Sequence, residues 1–119
     1  LFRSGKDEAK LKQLAEIEIG QMELLNELLQ GLNDAEETNG TLLDNTMVLY
    51  GCHMGDANIH NNKNLPVILA GGGFKHGQHL AFNSDNNAPL ANLYVSMLEN
   101  MGIDKSKFAS STGTLTGLS

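Results

Sequence analysis

Between Asp7 and about Leu32, apolar residues return every three or four positions (Leu11, Leu14, Ala15, Ile17, Met22, Leu25, Leu28, Leu29, Leu32), with Lys and Glu between them. That period marks one face of a helix, so the pattern predicts a long amphipathic helix. Ser4 or Asp7 can cap its start, because a side-chain oxygen there accepts the unpaired amide hydrogens of the first turn, and Glu8 suits the positive end of the helix dipole. Gly20 is a weak point, costing about 1 kcal/mol relative to alanine. The stripe is wide and calls for a covering sheet or second helix. We expect a core-facing helix with a solvated outer side and no chemistry of its own.

After a polar connector at residues 33–41, NDAEETNGT, the pattern changes. TMVLY (Thr46 to Tyr50) and LPVILA (Leu65 to Ala70) are short apolar runs without alternation, which is how strands buried on both faces read. Pro66 lies near a strand start, where a missing donor is tolerated, and Gly71, Gly72 and Gly73 end the second run. APLANLYVSMLENM (Ala88 to Met101) puts Leu90, Leu93, Tyr94, Met97, Leu98 and Met101 on one helical face, with Pro89 in the first turn and Gly102 just beyond the end. The tail from Ser106 reads as irregular chain or a short edge element. The order predicts an α/β fold as a single domain over residues 1–119: a small sheet of buried strands packed by the long N-terminal helix and a second C-terminal helix.

Composition narrows the function classes. A net charge of −6 and a pI near 5.0 argue against a nucleic-acid partner, whose phosphates require clustered Lys and Arg. No apolar run approaches the roughly 18 residues of a membrane span. Cys52 has no second cysteine to pair with, leaving the redox compartment open, and we expect it to be buried and inert. The chain opens on Leu1, which sets the expectation of a piece of a longer protein.

All four histidines, His53, His60, His76 and His79, fall within 27 consecutive residues, in the two loops that follow the two expected strands. In open α/β sheets, functional groups collect beyond the carboxyl ends of strands. Zinc accepts imidazole nitrogen and carboxylate oxygen, so these four histidines with Asp56 make an adequate ligand pool if the loops converge. The alternative is that the histidines lie on the surface or bond backbone carbonyls to hold the loops closed. GGGFKHG lacks the GK[ST] ending of a phosphate-cradling loop.

Taken together, LLDNTMVLYG, MGDANIH, NLPVILAGGGFKHGQHLAF, NNAPLANLYVSMLENMGI and SSTGTLTGL resemble the carboxy-terminal part of the uncharacterised bacterial His-x-x-Ser-His-His family, placed in the alkaline phosphatase-like and sulfatase-like superfamily. The resemblance runs over essentially the whole chain, and NLPVILAGGGFKHGQHL is its most specific portion. It implies part of an alkaline phosphatase-like fold and a divalent metal such as zinc acting on phosphate or sulfate esters. Asp56 and His60 become candidate metal ligands, and His53, His76 and His79 become groups that hold substrate or steady the ligands. The superfamily's nucleophile and an early aspartate ligand come from an amino-terminal half. No catalytic residue is assigned here, Cys52 stands where an aspartate is expected, and Leu1 to Gly5 stand where the namesake motif belongs.

The resulting expectation is a chain inactive alone, belonging to a parent protein exported to the periplasm, with a small ester as substrate. Its uncovered apolar surface implies a homo-oligomer in which the first helix is the interface element. A non-catalytic structural or protein-interaction module is the alternative, with the histidines serving only to order the backbone.

Overall fold

The computed structural model describes residues 7–118. Helix α1 spans Glu8–Asp34, and Asp7 caps it by accepting hydrogen bonds from the amides of Ala9 (3.0 Å) and Lys10 (3.3 Å). Ser4, the other candidate cap, lies outside the described residues. No residue of α1 is buried. Leu14, Leu25, Leu29 and Leu32 are half-covered along the centre of the stripe, while the residues on its flanks are exposed. The expected core-facing helix is therefore only partly covered, because the rest of this chain offers too little apolar surface to span so wide a face.

The connector expected to be featureless forms a small hairpin, β1 (Glu36–Glu37) and β2 (Gly40–Thr41), which pairs antiparallel and rests against α1. The turn that leaves β2 is closed by a reciprocal link in which the Asp44 carboxylate accepts from the Thr41 amide (2.7 Å) and hydroxyl (2.9 Å), and the Asp44 amide donates to the Thr41 hydroxyl (3.2 Å). These bonds favour the charged form and hold the Asp44 pKa below its usual value of 3.8.

The two apolar runs form β3 (Met47–Gly51) and β4 (Val67–Gly71), one residue or two later than expected. They pair antiparallel, Met47 opposite Gly71 and Gly51 opposite Val67, as a two-stranded sheet. Neither strand is buried on both faces: Leu49 is 37% and Ile68 42% exposed. Two strands with two open edges cannot enclose one another, which is why the expected double burial fails. At the end of β4, Gly71 and Gly72 take φ of 73° and 65°. A Cβ on Gly71 would strike the carbonyl oxygens of Thr46 and Leu43, so glycine is required where the chain turns past β3.

Helix α2 (Leu90–Asn100) forms where its pattern predicts, but of the expected apolar face only Leu93 is buried and Met101 is exposed, while Ala91, Asn92, Val95 and Ser96 on the other side are buried. Gly102 (φ 76°) and Ile103 close its end by donating to the carbonyls of Glu99 and Leu98, both at 2.9 Å, a Schellman arrangement. The core is centred on this helix: Ala91, Leu93 and Val95 are buried, Val95 completely. The irregular tail is fastened to it by side chains. Asn92 accepts from the Thr112 amide (2.9 Å) and donates to its hydroxyl (3.2 Å), the Ser96 hydroxyl accepts from the Leu115 amide (2.9 Å), and the Phe108 ring stands edge-on to Tyr94 at 6.1 Å. The described residues form a small α/β fold of two helices and two small antiparallel sheets.

Candidate functional site

The antiparallel pairing decides where the histidines go. The chain from Cys52 to Pro66 joins β3 to β4 and leaves the sheet at its Gly51–Val67 end. The glycine loop that carries His76 and His79 begins at the Met47–Gly71 end, about 14 Å away along a five-residue strand. Both loops do follow strands, as expected, but those strands run in opposite directions.

The first loop folds on itself. The Gly55 and Asp56 amides donate to the Asn61 carbonyl (2.8 and 3.2 Å), and the Asn61 amide returns a bond to the Asp56 carbonyl at 2.9 Å. One oxygen of the Asp56 carboxylate accepts from the Asn58 amide at 2.9 Å, the local bond that gives Asp and Asn their preference for turns. His60 sits at φ 54°, a left-handed conformation unusual for a residue with a side chain. His53, Asp56 and His60 are exposed. Cys52 is exposed too, which corrects the expectation of a buried thiol: the strand has ended and the loop curls away from it.

Among the described residues no three His, Cys, Asp or Glu side chains gather as a metal site would need. Zinc takes at least three protein ligands in the sites proteins build for it, so the described residues do not by themselves assemble a zinc site. The convergence of all four histidines with Asp56 is thus not what this chain forms.

The second loop does something different. The His76 ring nitrogen Nε2 lies 3.0 Å from the Gly71 carbonyl oxygen, pinning the glycine turn, and the Gln78 side chain donates to the carbonyls of Lys75 (3.0 Å) and Gly117 (2.5 Å). With the Lys75 amide bound to the Leu118 carbonyl (3.0 Å), the tail and this loop are tied together. Between β4, this loop and the start of α2 lies a cavity of about 830 Å³. Its lining includes the apolar residues Val67, Leu69 and Leu93 together with Lys63, Lys75, His76 and His79, and Asp85 is the one acid in it. In a chain of net charge −6 this is a local excess of cations and N–H donors.

The structure therefore brings His76 and His79 to one groove and leaves His53, Asp56 and His60 outside it. Sequence reasoning missed Lys63 and Lys75. The only signal was the adjacency of Lys75 to His76 in FKHGQH, and nothing in the spacing links Lys63 to either. No family model matches the chain, and neither the curated proteins nor the solved structures include a significant match to it.

Proposed function

We propose that this chain forms the substrate-holding wall of an alkaline phosphatase-like or sulfatase-like ester site that other residues complete. The observation that carries this reading is the groove along β4, whose largely apolar lining also includes Lys63 at one end and Lys75, His76 and His79 from the glycine loop. A phosphate or sulfate ester presents a compact anion with several acceptor oxygens attached to a less polar alcohol. Lysine supplies point charge and imidazole N–H supplies directed bonds for the anion, while the apolar floor suits the organic part. His79 takes the role of a substrate contact, and His76, whose Nε2–H is engaged by the Gly71 carbonyl, steadies the loop that carries it. Asp56 and His60 are assigned as two contributors to a metal held jointly with groups beyond the described residues.

The test is a titration of the chain with inorganic phosphate and then sulfate, followed by the imidazole and lysine side-chain resonances. Shifts at His76, His79, Lys63 and Lys75 that disappear in a Lys63→Ala/Lys75→Ala variant are the expected result. Anion-dependent shifts confined to His53 and His60, or no shifts at all, would overturn the assignment.

The exposed apolar flanks of α1 favour a second reading, a non-catalytic module whose role is to bind another protein surface. Under it the anion titration leaves the groove unmoved, and His60→Ala changes neither folding nor partner binding.

A further inference from the structure

Helix α1 carries an arrangement that the fold of one chain does not use. Ile17, Leu24 and Leu28 are 44%, 66% and 51% exposed and lie on one flank of the helix, beside the half-covered centre of its stripe. Gly20 and Gly31 lie along the same flank, and a Cβ at either would meet nothing within 4 Å. Each glycine costs a helix interior roughly 0.5–1 kcal/mol, and no close approach within the chain accounts for it.

The charges on α1 are sorted along its length. Its only two basic residues, Lys10 and Lys12, lie in the first two turns, and Glu16, Glu18, Glu23, Glu27 and Asp34 follow with no base among them. The last turn has no basic residue to offset the negative end of the helix dipole.

We infer that α1 pairs antiparallel with α1 of a second copy of this chain, about a two-fold axis near Gly20 and Gln21. This register sets Ile17 of one copy against Leu24 of the other and Gly31 against Lys10. Lys10 then lies between Glu27 and Asp34 of the other copy and supplies the charge that the helix end lacks. A parallel pair would align acid with acid over most of the length. The glycines let the two axes approach closely at the centre and near both ends. Ile17 and Leu24 are one heptad apart, which gives a short helix pair instead of an extended coiled coil. This inference is independent of the anion groove.

The test is sedimentation equilibrium of the 119-residue chain and of two charge-reversed variants, Lys10→Glu and Glu27→Lys/Asp34→Lys. Both reversals favour the isolated helix, since glutamate at the third helical position and lysine in the last turns complement the dipole. Unchanged or greater helical circular dichroism will verify that folding is retained. The native chain is expected to be a dimer, each variant alone to self-associate at least about tenfold more weakly, and an equimolar mixture of the two to recover the affinity, because each copy then meets its complement twice. A monomeric native chain at high micromolar concentration would overturn the pairing. So would variants that associate as well as the native chain, or a mixture that fails to recover.

Discussion

Asp44 shows how a single exposed side chain organises a segment that looks featureless. Residues 33–41 are polar and aperiodic, yet the carboxylate of Asp44 collects the Thr41 amide and hydroxyl and fixes the turn at the end of the β1–β2 hairpin. Because its pKa is lowered by those bonds, the stabilisation is fully present above the unfolded value near 3.8 and is lost as pH falls through the lower, folded value. Amide resonances of Thr41 should therefore stay fixed from neutral pH down to about 4 and move only below it. In Asp44→Asn that acid transition should vanish from the hairpin, whereas its persistence there would assign the titration to another group. His76 makes the complementary point. Its imidazole was readable as a candidate by residue type, but its bond to the Gly71 carbonyl depends on a turn of consecutive left-handed glycines whose geometry the letters GGG permit without dictating.

At the scale of elements, the helices were legible and the sheet was only half so. Asp7 as cap, Pro89 before α2 and Gly102 after it are local signals, each acting on amides or carbonyls within a few residues, so they read directly from sequence. Strand direction is not local. TMVLY and VILAG specify extended chain, but whether they pair parallel or antiparallel depends on how the connecting segment folds, and here residues 52–66 form a compact loop. The attachment of the tail to α2 was equally hidden, since Asn92 and Ser96 lie on the side of the helix away from the apolar residues that mark its pattern. Removing the Asn92 side chain in Asn92→Ala should cost about 1–3 kcal/mol by leaving the Thr112 amide without its partner. Hydrogen exchange at Thr112 and Leu115 would then accelerate well before that of α2 itself; equal acceleration throughout would mean that the tail and helix unfold as one unit.

The whole molecule is extended, 50 × 36 × 21 Å with a radius of gyration of 16.6 Å, against about 13.5 Å for a compact domain of this length. Its core is small and centred on α2, and no described helix is long and apolar enough to cross a membrane. Because no three donors gather among the described residues, the chain purified without a histidine tag should retain no stoichiometric metal by mass spectrometry. It should also leave aryl phosphate and aryl sulfate esters unhydrolysed in the presence of zinc, manganese or calcium; robust turnover would show that the site is complete within this chain. The sequence by itself determined the two helices, their ends, the extended runs and the acidic surface, because periodicity, capping and charge act over a few residues. Only the tertiary structure decided that the strands oppose one another, that His76 and His79 part company from His53, Asp56 and His60, and that Lys63 joins the groove. Those outcomes follow from backbone pairing between segments distant in the chain, and no spacing of residue types encodes its direction.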